Sequence, residues 1–435
     1  QRQGASKPRV AQGTTNGRGG PASGSGGRVD GGGGCDIDDS IPNTYRRPNR
    51  TRALIQQTEN SACVSKAPFV VAFGDPHPPL IVTRTAMSEF KTSAELEALL
   101  DAAYGAFARG DLAAARHAFD AVLAQRPDDA RYQYMQGLTC KYLRDWSKCF
   151  AHNLRSIALR DEADEASFWN AAIAATALGD WAEARRLWAA CGIRVPTGDG
   201  PIQGDYGVVS LRLNPWDGAE TLYARRIDPV RARLLNIPLP ESGYRRGDIV
   251  LHDGASTGQR PLGDAWVPVF NALQRLEHSE FQTFTAFIAC PSQADLDALL
   301  AMRVPGIDDL EDWTASIVHY CMRCSYGAPH RRGDAGDGPH ATFNDAAHWD
   351  IERTIGIAAQ SRHSAAKLLD AWAANASERY VDAIESREAT PSSPPESGFV
   401  WWDSPENEDD ASDNDEDRDD SSDHDVDETA LPPSN

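Results

Sequence analysis

The chain has 435 residues, 41% of them hydrophobic, and a formal net charge of −21. That length exceeds one compact core, so two or more folded units with tails are expected. No apolar run approaches the roughly 18–20 residues of a membrane-spanning helix, and no charged-then-apolar leader pattern follows Gln1, so a cytoplasmic, reducing location is expected.

The charge is unevenly spread. Residues 401–435 hold 15 Asp/Glu against Arg418 alone, a local charge of −14 that leaves −7 for the rest. The run "ENEDDASDNDEDRDDSSDHDVDE" repels itself and offers little to bury, which predicts a disordered acidic tail over 387–435. Such a tail solubilises, or meets a basic partner or the chain's own Arg-rich strands. No dense basic patch is interleaved with aromatics, so nucleic-acid binding is not favoured. The 8 cysteines are scattered, unlike a disulfide framework. Arg outnumbers Lys 37 to 6, a bacterial-type coding bias of a GC-rich genome.

Taken in chain order, residues 1–86 carry no assigned function. Residues 1–34 are rich in Gly, Ser and Arg and cannot form a core, and 35–86 stay irregular. They are expected to be disordered. The composition changes abruptly at Met87, which reads either as the true start or as the end of a natural extension.

Residues 95–198 repeat. "GDLAAARHAF" (110–119), "RDWSKCFAHN" (144–153) and "GDWAEARRLW" (179–188) recur at offsets of 34 and 35 residues, each preceded by a helical segment. A large residue follows each turn (Leu112, Trp146, Trp181), and small ones recur where helices must approach closely (Ala115, Cys149, Ala184 and Ala103, Gly137, Ala172). Pro127 ends the first unit; Asp161 and Asn153 depart from the pattern. This segment resembles the tetratricopeptide repeat family, a helix–turn–helix unit of about 34 residues. The resemblance implies three repeats over 87–198, stacked because one pair cannot bury its apolar face alone. It also implies a concave face lined by first helices, which in the family binds a peptide or protein. By register that face carries Tyr104, Arg131, Tyr134, Lys141, Trp169 and Asn170. The Lys/Asn set that clamps a terminal carboxylate in some members is not reproduced. Alternatively, Trp169 and Tyr134 pack against the next domain.

After a Gly-rich linker at 199–206, an α+β domain is expected over 207–386. Strands are read at 208–215, in two segments of 220–238 around a Pro turn, and at 247–254, 282–290, 313–321 and 353–359. Helices are read at 267–278, 292–302 (Ser292 as N-cap) and 364–384. The economical arrangement is a sheet with helices on one face.

Chemistry in this domain centres on "HYCMRCSYGAPH" (319–330). Cys321 and Cys324 have the spacing of a zinc knuckle, His330 follows in a long Gly-rich loop, and His340, His348 or His319 would complete four ligands. His340 is taken as the fourth. The zinc would be structural. Two idle thiols are the plain alternative. A redox pair is disfavoured because "SYGAP" predicts a turn after Cys324 rather than a helix, and Cys290 alone could extend the set toward an iron–sulfur cluster. His252-Asp253 reads as an Asp-Gly turn, or as acid/base groups beside an open Cys/Cys/His zinc. Arg225, Arg226, Arg231 and Arg233 read as a solvated face or a seat for the acidic tail. The Trp401-Trp402 pair in "GFVWWDSP" reads as a docking motif for a partner, or as a self-ligand folded back into the repeat groove.

The leading expectation is a non-enzymatic interaction protein, an adaptor or chaperone-like scaffold. A metal-dependent enzyme is the alternative.

Overall fold

A computed structural model describes residues 93–317, 322–328, 349–387 and 389–403, all within one compact unit. The first 86 residues and the acidic run from 404 onward lie outside the described residues.

A helical region comes first. α1 (Ser93–Ala108), α2 (Leu112–Gln125), α3 (Ala130–Tyr142), α4 (Trp146–Ala158), α5 (Glu165–Leu178) and α6 (Trp181–Ala190) are joined by short links, and each packs on the next. Asp129, Asp145 and Asp180 start α3, α4 and α6, their carboxylates accepting backbone N–H groups that the first turn leaves unpaired. Gly110 and Gly179 sit in the left-handed turns. The small residues of the repeat are buried at the helix contacts. Asn153, a departure from the repeat, is buried against Gly137, where any Cβ would collide with its amide.

A sheet-rich region follows. β1 (Val208–Leu213), β2 (Glu220–Arg226), β3 (Arg231–Leu234), β4 (Ile249–Leu262) and β5 (Ala265–Glu277) form a closed barrel. Neighbours run antiparallel, and a parallel β1–β5 pairing closes it. Val209, Leu211, Ala224, Leu234, Val250, Phe270 and Ala272 fill its core. A second sheet, ordered β7 (Ile307–Asp312), β8 (Glu352–Ala359), β6 (Gln282–Ala289), β9 (Tyr380–Glu385), carries α7 (Gln293–Leu300) and α10 (Arg362–Ala373). Leu296, Leu299, Leu368 and Trp372 pack there on Phe284, Ile288, Ile355 and Ile357. Two short helices, α8 (Trp313–Ser316) and α9 (Met322–Tyr326), and a 3-10 turn at Pro240–Ser242 complete the described elements. No helix among the described residues is long and apolar enough to cross a membrane.

Several expectations are corrected. The helix read over 267–278 is instead strand up to Glu277, part of β5, because both faces of its middle are buried and the alternation is lost. Residues 313–316 form helix α8 rather than the start of a strand, with Asp312 capping it and Trp313 lying over Gly356, and residues 318–321 lie outside the described residues. The helix read over 364–384 stops at Ala373, and 380–385 form an edge strand. His252-Asp253 lies within β4, where register shifts mark a bulge, and not at a terminal turn. Cys324 lies inside α9, which runs on through Ser325 and Tyr326, so the turn predicted from Ser325 begins at Gly327, at φ +74. Residues 389–403 are packed against the fold although the tail was expected to be disordered from 387, since two buried tryptophans outweigh the polar composition around them.

Candidate functional site

α1, α3 and α5 present one face of the helical region, and the rest of the chain covers it from two sides. On the barrel side, Lys141 of α3 is buried and its Nζ donates to both carboxylate oxygens of Asp253 in β4, at 2.9 and 3.2 Å. Trp169 of α5 packs edge-on against Trp188 and lies on Gly254, where a Cβ would meet its ring at 2.8 Å. Gly254 therefore serves close approach rather than a turn. Trp146 Nε1 donates to Gln274 Oε1 of β5 at 2.6 Å. Leu251 and Leu273, on the outside of the barrel, join the same apolar core as the helices.

On the other side lies the segment 389–403, which has no regular secondary structure. It passes Gly243, where a Cβ would strike the Thr390–Pro391 backbone, and Trp216, whose indole N–H donates to Ser392 Oγ at 2.7 Å. It then reaches the start of α2, where Ala113 N donates to Glu396 O at 2.9 Å, and crosses Gly110. It ends with Trp401 and Trp402, 1% and 5% exposed. Trp402 stacks on Tyr142 at 4.4 Å and tilts onto Phe107 at 5.2 Å. Trp401 stands edge-on to Trp216 and Tyr142, and its carbonyl accepts from Asn271 Nδ2 and Tyr326 Oη. Tyr326 is held in turn by the Arg212 guanidinium, 3.8 Å from its ring; burial pulls the Arg212 pKa down. The helices, the barrel and α9 thus each contribute to one aromatic seat.

The six groove residues predicted from the repeat register do not form a single exposed surface. Lys141 and Asn170 are buried. Tyr104 stands edge-on to Phe119, with burial raising its pKa to about 12. Arg131 pairs with Asp129 at 3.0 Å. Tyr134 and Trp169 are half-buried against the shared core. The seat residues that the register missed are Phe107, Tyr142, Trp216, Asn271 and Tyr326. Only the Trp401-Trp402 pair signalled it in sequence; the others come from five separate stretches brought together by the fold.

Arg144 borders the seat. It is one of two non-glycine residues with positive φ among the described residues, the other being Asn214 just before Trp216. Its guanidinium lies 5.8 Å from the Trp216 ring, has no carboxylate partner among the described residues, and burial pulls its pKa down.

His252 points into the barrel, stacked on Phe270 at 4.7 Å, with Nδ1–H donating to Asp253 O at 2.8 Å. Burial lowers its pKa to about 4 and keeps the ring neutral. His252 is 0% exposed and Asp253 is held by Lys141, so neither side chain is open to solvent.

Of the metal ligands read from sequence, Cys324 is described; Cys321, His330 and His340 lie outside the described residues. No cluster of three His, Cys, Asp or Glu suited to a metal occurs among the described residues. α9 is docked on the barrel by Gln259 N donating to Gly327 O and Thr257 Oγ1 to Tyr326 O. The arginine group divides: Arg225 and Arg233 are exposed register partners on β2 and β3, Arg226 is half-buried, and Arg231 is not solvated. Arg231 is buried, paired with buried Asp228 and lying over the Trp181 ring at 4.5 Å. Arg225 pairs with Asp205, Arg226 donates to Tyr206 O, and Arg233 donates to Gly247 O.

No protein-family model and no curated protein matches the chain. Among solved structures, the CopN-Scc3 complex is similar over 25% of this chain and 67% of that chain, at 18% identity and a TM-score of 0.23. A likeness that slight carries no argument about fold or function.

Proposed function

We propose that this chain is a cytoplasmic, non-enzymatic interaction protein whose tetratricopeptide-like helical region binds an extended peptide. One observation carries the reading: the face formed by the helices with Trp216 and Tyr326 holds an extended, aromatic segment of this same chain, 389–403. A surface that seats one such segment has the chemistry to seat another. Stacked rings supply apolar burial, and Asn271 and Tyr326 supply donors to a ligand carbonyl. The 34-residue repeat spacing and the burial of its small residues support the helical part of the reading.

The test is binding in trans. The full chain carrying Trp401→Ala and Trp402→Ala should bind a labelled peptide of residues 389–403, and a peptide with both tryptophans replaced by alanine should not bind. A folded variant that ignores both peptides would count against the reading. A structural zinc held by Cys321 and Cys324 with His330 and His340 belongs to the same proposal and rests on the Cys-x-x-Cys spacing. About one zinc per chain is expected, lost in Cys321→Ser/Cys324→Ser; a metal-free unsubstituted protein would dismiss it.

A further inference from the structure

The chain's own segment fits its seat imperfectly, at two points. The Trp401 indole Nε1–H is buried with no acceptor among the described residues, so seating it loses the hydrogen bond it would make to water. Arg144 is a half-buried cation with no carboxylate partner among the described residues. It lies against the same Trp216 indole whose N–H donates to Ser392 Oγ. The one Trp216 ring therefore carries neutral Ser392 at its N–H edge and the Arg144 cation over its face. Between its anchors the segment is loosely covered: Phe399 is 49% exposed, Gly398 has a φ of +139, and no strand pairing fixes 389–403.

We infer that the seat is built for a bipartite peptide, with an acidic side chain where this chain has Ser392 and an aromatic pair where it has Trp401 and Trp402, and that the chain's own segment is a weaker stand-in for it. This rests on the peptide-binding reading above. The carboxylate would accept the Trp216 N–H as Ser392 does and would pair with Arg144, a charge-assisted contact in a partly desolvated place. The stand-in keeps the aromatic seat filled, and therefore closed to other apolar surfaces, until a peptide with the acid displaces it.

The test uses the full chain with Trp401→Ala and Trp402→Ala, and two labelled peptides of residues 389–403, one native and one with Ser392→Asp. The acidic peptide should bind at least about tenfold tighter. The gain should vanish in an added Arg144→Gln background and shrink with salt. Equal binding, or a gain that survives Arg144→Gln, overturns the inference while leaving the peptide-binding reading intact. No binding of either peptide to a folded variant overturns both. A second arm keeps the aromatic pair and so avoids a folding failure: Ser392→Asp in the otherwise unaltered chain should raise Tm, and Arg144→Gln should cancel the rise. An unchanged or lowered Tm contradicts the inference.

Discussion

Lys141 and Asp253 meet where the helical region joins the barrel, and each is nearly free of solvent. Lys141→Met takes from buried Asp253 the ammonium that donates to both its oxygens and should cost about 3–5 kcal/mol in urea unfolding. Replacing both, as Lys141→Met/Asp253→Leu, should recover most of that loss, since a well-packed apolar pair avoids the desolvation of two charges. Glu220 makes the opposite kind of case. Burial, with Glu311 and Glu241 nearby, raises its pKa from 4.5 to about 8, although its carboxylate accepts the Leu239 N–H. The folded state therefore holds a proton that the unfolded chain releases above its own pKa. The stabilising contribution is complete below about pH 4.5 and is lost as pH rises to about 8. Glu220→Gln should flatten this dependence, matching the unsubstituted chain at pH 4.5 and exceeding its stability at pH 9, as read by Tm across that range. A parallel fall of both proteins with pH would refute the assignment. His252 works in the other direction: its pKa is lowered to about 4, so its contribution is lost as pH falls from 6.5 towards 4.

At the scale of elements, legibility followed periodicity. The six helices were readable because their apolar and small residues recur at helical spacing within a repeat. β5 was not. Phe270 and Ala272 face the barrel core while Leu273 enters the helical core, so a strand apolar on both sides imitates a helix. The Asp253-Gly254 pair signals a turn in sequence, but Gly254 is there because Trp169 needs the space. The aromatic seat was half legible. The tryptophan pair was visible, but its partners Phe107, Tyr142, Trp216 and Tyr326 have no sequence relation to it: the helices bring the first two together, and the barrel and its docked short helix supply the others. Gly110 tests the link between a helix turn and the segment that crosses it. Its φ is +80, and a Cβ there would strike the Phe399 backbone. Gly110→Ala should cost about 1–2 kcal/mol from the left-handed backbone alone and also lift the segment, seen as faster proteolysis within 389–400. Unchanged cleavage would mean that the segment is held elsewhere.

Across the whole molecule, helices, barrel and C-terminal segment share one apolar core, in which Trp401 and Trp402 are the contribution of the last described residues. Each tryptophan removed from such a core should cost about 3–5 kcal/mol, so the segment stabilises the fold while it occupies the binding face. Those two roles are separable only if the segment can leave without the fold collapsing. The decisive measurement is exchange after cleavage. A protease site placed at 386–389 severs the segment, and native mass spectrometry follows its replacement by an isotope-labelled peptide of residues 389–403. The account predicts that the cleaved chain stays folded and exchanges the peptide at a rate that rises with Gly110→Ala. A severed segment that never exchanges, or that leaves only as the chain unfolds, would make it part of the core and contradict the peptide seat.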